Sequence, residues 1–177
     1  MLAIAGLLLL AAPIQAHPES ISSVDLQIQP DGAKVSLTLQ LRDLNGWFPP
    51  GGHSDYKSFV MGGLKDQAAD LFEFQADGQQ VAASDISVHL DKPGCVRVEM
   101  FFKIPAGTQL LLLRTKSLDK LPSGHQQLLC AQDRRVIAKP DDEAPVVLEQ
   151  PLNSEQDFAE IQMPDAPGAT AATQPAN

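Results

Sequence analysis

Basic residues are in short supply along this chain of 177 residues: 13 Lys and Arg stand against 22 Asp and Glu, a formal net charge of −9. Nucleic-acid binding needs a basic patch to neutralise phosphates, and no stretch supplies one. Aromatics are scarce as well, with seven Phe, Trp47 and Tyr56, so the core must be built from Leu, Val and Ile. The two cysteines, Cys95 and Cys130, form no Cys-x-x-Cys pair, and His-x-His and Met-rich metal motifs are missing. So are a Gly-x-Ser-x-Gly elbow and the Lys-Ser/Thr that a phosphate loop requires. Beyond the first residues no apolar run is long enough to span a bilayer. IPAGTQLLLL is broken by Pro105 and Gly107 and is followed by Arg114 and Lys116.

What is present begins with that first run, MLAIAGLLLLAAPIQA. It is apolar and ends in small residues, with Ala16 at a cleavage position, Ile14 at minus three and Pro13 to break a helix just before the bond. No Lys or Arg precedes it. Residues 1–16 are therefore expected to be a secretory leader, cleaved to leave a free α-amine on His17. The alternative is an uncleaved anchor, but sixteen helical residues reach only ~24 Å against a hydrocarbon core of ~30 Å. Cleavage puts the protein in the periplasm or outside the cell, with no membrane span. The even cysteine count then predicts a Cys95–Cys130 disulfide, which would close a loop of about 35 residues for roughly 3–4 kcal/mol.

Alternation of apolar and polar residues predicts strands. Val24, Leu26 and Ile28 alternate with Asp25, Gln27 and Gln29; after the turn Pro30-Asp31-Gly32, Val35, Leu37, Leu39 and Leu41 do the same. This is an antiparallel hairpin. A Gly/Pro loop over Asn45–His53 precedes a helix expected at about residues 54–71, capped by Ser54 or Asp55. Tyr56, Phe59, Val60, Leu64, Ala68 and Leu71 form its buried stripe, and Gly62-Gly63 inside it suggest a bend. Further short strands begin at Phe72, return after Ala76-Asp77-Gly78, and run over Ile86–Leu90, Cys95–Ile104, Leu110–Thr115, His125–Ala131 and Arg134–Ala138. A last one is suggested by Pro145-Val-Val-Leu-Glu. The class is mainly β: an antiparallel, immunoglobulin-like β-sandwich with one α-helix, occupying residues 17–150. Residues 140–177 carry eight acids and no Lys or Arg, and residues 151–177 read as an acidic disordered tail.

Several short motifs occur together. They are His17-Pro18 directly after the leader, a hairpin ending in Leu41-x-Asp43-Leu44, a helix, the Ala76-Asp77-Gly78 hairpin, Lys92-Pro93-Gly94-Cys95-Val96-Arg97-Val98-Glu99, and Leu121-Pro122-x-Gly124-His125-x-Gln127. Across residues 17–138 they resemble the extracytoplasmic N-terminal domain of HupE/UreJ-type membrane proteins, a family associated with nickel uptake for hydrogenase and urease. In that family a polytopic membrane part follows, whereas this sequence continues into the acidic tail. The resemblance therefore implies an accessory domain, periplasmic or extracellular, with a membrane or extracytoplasmic protein as partner, and it carries over no transport activity.

One constellation points to chemistry. An N-terminal His17 offers an α-amine and an imidazole that chelate one metal together, and a second histidine would complete the T-shaped three-nitrogen site that copper favours. Pro18 lacks an amide N–H, which closes the alternative of square-planar binding through backbone amides. His53, in the loop before the helix, and His125, after a loop, are the candidate second ligands, and His89 lies on a polar strand face. Asp66 and Asp70 share a helix face and read as solvated. Ser54 follows His53 but adjacent helical residues do not face each other, so no nucleophile is found. Trp47-Phe48 read either as a binding loop or as a plug over one end of the sandwich. The leading expectation is an exported, non-enzymatic binding module for copper or nickel. The alternative is a structural or protein-interaction domain without metal, and the third reading is a copper-dependent oxidative enzyme.

Overall fold

A computed structural model describes residues 20–137 and 142–164. Inward-facing residues at every second position set the strands. In β1 (Ile21–Gln29), Ser22, Val24, Leu26 and Ile28 are buried; in β2 (Gly32–Gln40), Ala33, Val35, Leu37 and Leu39 are. The two pair antiparallel, from Ser23 opposite Thr38 to Gln29 opposite Gly32. Gly32 is required at that turn, because a Cβ there would collide with the Phe102 carbonyl and the Phe101 ring.

Helix α1 (Tyr56–Gln67) follows and runs on into a 3-10 turn, Ala68–Asp70. Of the two expected caps, Asp55 serves: it accepts the Ser58 N–H at 3.1 Å and the Ser58 hydroxyl at 2.6 Å, which hold its carboxyl below the usual range. The stripe Val60, Leu64 and Ala68 is buried. Strands β3 (Phe72–Ala76) and β4 (Gln79–Gln80) turn through Asp77 and Gly78, both at positive φ, the signature of a tight hairpin. Then come β5 (Ala83–Leu90), β6 (Cys95–Phe102), β7 (Leu110–Thr115), β8 (Gln126–Asp133), β9 (Val146–Leu152) and β10 (Phe158–Gln162).

Among the described residues ten strands form two sheets, of order β5-β6-β2-β1-β8-β9 and β10-β7-β3-β4. They share one core, and across it Phe74 of β3 stacks on Phe102 of β6 at 4.4 Å between ring centroids. The described residues thus form a mainly β sandwich with one α-helix. Among the described residues no helix is long and apolar enough to cross a membrane.

Four expectations are corrected. The pairing is not wholly antiparallel: β1 runs parallel to β8, Ile21 opposite Gln126 through Ile28 opposite Asp133. The expected strand at Arg134–Ala138 is a 3-10 turn over Arg134–Val136, with Ala138 outside the described residues. It forms because Asp133 binds the Arg135 N–H at 3.0 Å and grips its guanidinium at 2.9 and 2.8 Å. The segment from residue 151 is not wholly tail. Pro151 and Leu152 end β9, and Phe158–Gln162 pair with β7, burying Ala159 and Ile161. Residues 165–177 lie outside the described residues.

The fourth correction is the disulfide. Cys95 and Cys130 are both free thiols. Cys95 lies on β6 opposite Gln40, and Cys130 on β8 opposite Asp25. Strands β2 and β1 stand between them in the same sheet, a lateral gap of roughly 14 Å, whereas a disulfide needs Cα atoms within about 7 Å.

Candidate functional site: a buried polar cluster at one end of the sandwich

The inner face of β1 stays in phase beyond its apolar residues. Ser22 and, just before the strand, Ser20 continue the row of Ile28, Leu26 and Val24. Opposite, the inner face of β8 continues from Ala131 and Leu129 to Gln127 and then to His125 in the preceding turn. Polar side chains at core positions must find partners, since a buried polar group without one costs about 1–3 kcal/mol.

Most partners are present. His125 Nε2 lies 2.8 Å from Ser22 Oγ. The Ser20 hydroxyl donates to Asp43 Oδ1 at 2.9 Å, and the Ser20 carbonyl accepts the Gln126 N–H at 3.0 Å. Gln127 Nε2 donates to Ser117 Oγ at 3.0 Å, and Ser117 bonds Thr115 at 3.0 Å. Asp43 belongs to the 3-10 turn Leu41–Leu44 that ends β2, at the same end of the sandwich because β1 and β2 are antiparallel. It is 4% exposed, as is His125, and Gln127 is fully buried. Yet Asp43 Oδ2, His125 Nδ1 and Gln127 Oε1 are buried without a hydrogen-bond partner among the described residues. Burial holds the His125 imidazole below its usual pKa, and the nearby Asp43 carboxylate only partly opposes this.

Asp43 also forms one wall of a groove of about 590 Å³, with Gly46, Trp47, Asp119, Lys120, Leu121 and Pro122. Trp47 is half-buried there: its Nε1–H reaches Gln67 Oε1 at 3.2 Å, and Lys120 Nζ sits 5.1 Å from the ring centroid. Phe48 turns inward instead, 5% exposed, stacked on Trp47 and edge-on to Phe59. Its position accounts for Gly63. A Cβ on Gly63 would collide with the Phe48 ring, so the glycine admits the ring and α1 continues through Gly62-Gly63 as one helix.

The other sequence candidates are dispersed. His17 lies outside the described residues. His53 is exposed, its ring stacked on Phe59 at 3.6 Å. His89 is on β5 opposite Arg97, and Asp66 and Asp70 are exposed. Among the described residues no group of three His, Cys, Asp or Glu side chains could hold a metal ion. On the outer face of the large sheet Cys130 faces Glu149, Sγ to Oε1 3.9 Å. Burial, with Glu149 and Asp25 beside it, pushes that thiol above its usual pKa, which lowers its reactivity.

Sequence reasoning named Asp43 only within the Leu41-x-Asp43-Leu44 motif and gave it no role in a site. The signal that could have found it is Ser20 and Ser22 in phase with Val24, Leu26 and Ile28, because hydroxyls on a core face call for buried polar partners. Neither comparison with protein-family models nor comparison with curated proteins returned a match for this chain.

Proposed function

We propose that the chain is an exported, non-enzymatic accessory domain that holds a copper or nickel ion at its processed N-terminus. Cleavage after Ala16 frees the α-amine of His17, amine and imidazole chelate the ion, and His125 Nδ1 supplies a third nitrogen. The observation that carries this reading is the buried Nδ1 of His125, which has no hydrogen-bond partner among the described residues. In the tautomer that donates Nε2–H to Ser22 Oγ, the Nδ1 lone pair is free, and the depressed pKa keeps the ring neutral, which is the state a metal ligand needs. A hydrogen bond from the far ring nitrogen is the usual support for a ligating histidine. His17 precedes Ser20 by three residues, a reach of at most about 11 Å, and Ser20 is bonded to Gln126, the neighbour of His125. His53, exposed and stacked on Phe59, is the weaker second ligand. The resemblance to the extracytoplasmic domain of HupE/UreJ-type proteins agrees with a metal-related accessory role.

Titration of the processed protein with Cu(II) and Ni(II) tests this, against a variant with one residue added before His17 and against His125→Gln. The extension should weaken binding sharply by removing the amine chelate, and His125→Gln should weaken it further while changing the ligand-field spectrum. Equal affinity in the native and extended chains would refute the proposal.

A further inference from the structure

The outer face of the large sheet carries a second inference, independent of the metal. Strand register sets two rows of side chains across β1, β8 and β9. One row is Asp25, Cys130 and Glu149, and the next is Ser23, Leu128 and Pro151, with Ile21 beyond it on β1. Leu128 is 47% exposed, Ile21 is 41% exposed, and Pro151 is exposed beside them. A groove of about 340 Å³ runs past Leu128, Cys130, Glu149 and Pro151. Apolar side chains left in water beside a groove forgo the gain of burial, and a contiguous patch of them marks a contact surface.

The charge at this patch has one sign. Asp25 and Glu149 stand two strand spacings apart, roughly 10 Å, and among the described residues neither forms an ion pair. The cations of the adjoining strands are engaged elsewhere, Lys34 by Glu99 at 2.8 Å and Arg97 by Asp91 at 3.1 Å. Burial lifts the Asp25 carboxyl above its usual pKa, and Arg97 only partly opposes this. A cation seated at the patch would favour both carboxylates. This selects the occupant. An isologous pairing of two copies would set the same acids face to face, and anionic lipid or nucleic acid would be repelled. Residues 165–177 hold Asp165 and no Lys or Arg, so they lack the complementary charge. We propose that the outer face of β1, β8 and β9 docks a basic amphipathic segment of a partner protein, its apolar side chains on Ile21, Leu128 and Pro151 and its Lys or Arg side chains beside Asp25 and Glu149.

The test uses the fully reduced, processed protein in EDTA, so that metal at His17 plays no part. The probe is a helical peptide of leucine and lysine, with leucines on one face and lysines flanking them; the same peptide with glutamate in place of lysine is the control. Alkylation of Cys130, followed by mass spectrometry of the digested protein, should slow as the lysine peptide saturates. Cys95, with β2 and β1 between it and Cys130, should be protected less. Leu128→Ser should weaken binding about tenfold, the worth of a partly buried leucine side chain. Glu149→Lys should weaken it about tenfold through like-charge repulsion. Asp66→Asn, at an exposed position of α1, should change it less than about threefold. Equal protection of the two thiols, equal binding of the glutamate peptide, or Leu128→Ser and Glu149→Lys proteins that bind as tightly as the native one would overturn the proposal. So would dimerisation that protects Cys130 without peptide, since the face would then belong to a second copy.

Discussion

Gly62 and Gly63 are neighbours in the middle of α1, and replacing each by alanine should move stability in opposite directions. In a helix interior alanine is favoured over glycine by ~1 kcal/mol, through the backbone entropy that glycine loses on folding. At Gly62, which is exposed, an added Cβ meets nothing within 4 Å. Gly62→Ala should therefore gain close to the full ~1 kcal/mol. At Gly63 the same Cβ would stand 3.0 and 3.2 Å from Cδ1 and Cζ of Phe48, and nearer still to Cε1. The ring cannot step aside cheaply. It stacks on Trp47 at 5.1 Å and meets Phe59 edge-on at 6.1 Å. Its backbone is tied as well, N–H to the Leu44 carbonyl at 2.7 Å and carbonyl to the Tyr56 hydroxyl at 3.0 Å. Overpacking of this kind costs about 1–3 kcal/mol, so after the helix gain Gly63→Ala should lose on the order of 1 kcal/mol. The two variants should then differ by about 2 kcal/mol, or roughly 4–8 °C in Tm for a chain of this size. Urea and thermal unfolding measure the difference directly. Adding Phe48→Leu to Gly63→Ala should recover part of the loss, as a favourable coupling in a double-mutant cycle. If Gly63→Ala is as stable as Gly62→Ala, the packing of Phe48 against the helix is wrong.

Two further outcomes follow from groups described above. Reductant should leave Tm unchanged, and alkylation without reductant should label both cysteines once the protein is unfolded, with native Cys130 reacting slowly at neutral pH because its thiol is held protonated; a Tm that falls on reduction would restore the disulfide. His125 should give stability a pH slope. Its folded pKa lies below the unfolded value of about 6.5, so the unfolded chain binds the extra proton. Stability is then full above that value and is lost as pH falls through the lower folded one. His125→Gln should flatten the dependence below about pH 6.5, and an unchanged slope in the variant would show that His125 is not its source.

The residues that could be read from sequence are those whose neighbours are local. The β1–β2 hairpin, the turn at Asp77-Gly78 and strand β6 follow from alternation and turn chemistry acting within a few residues. β10 was hidden by composition: Phe158–Gln162 sit among acids, Gln and Pro, and only Ala159 and Ile161 face inward. The disulfide failed for another reason. Compartment and cysteine count say nothing of strand order, and two intervening strands decide the matter. The polar cluster is the extreme case. Ser20, Asp43 and His125 lie outside the strands and far apart in sequence; the antiparallel β1–β2 pairing sets Asp43 beside Ser20, and the parallel alignment of β1 with β8 adds His125. His125 was legible as a candidate, but its burial and its serine partner were not.

That alignment has a consequence for how the molecule assembles. Ser22 and His125 are 103 positions apart, and β1 lies between β2 and β8 in the interior of the large sheet. As the chain emerges from its N-terminus, β1 and β2 can zip at once, but the other edge of β1 stays bare until β8 has been made. The small sheet repeats the pattern, since β7 receives its outer neighbour only when β10 arrives. For a long interval the nascent chain carries an unpaired strand edge that is open to mispairing with other chains. Long-range closure, rather than formation of the first hairpin, should set its folding time.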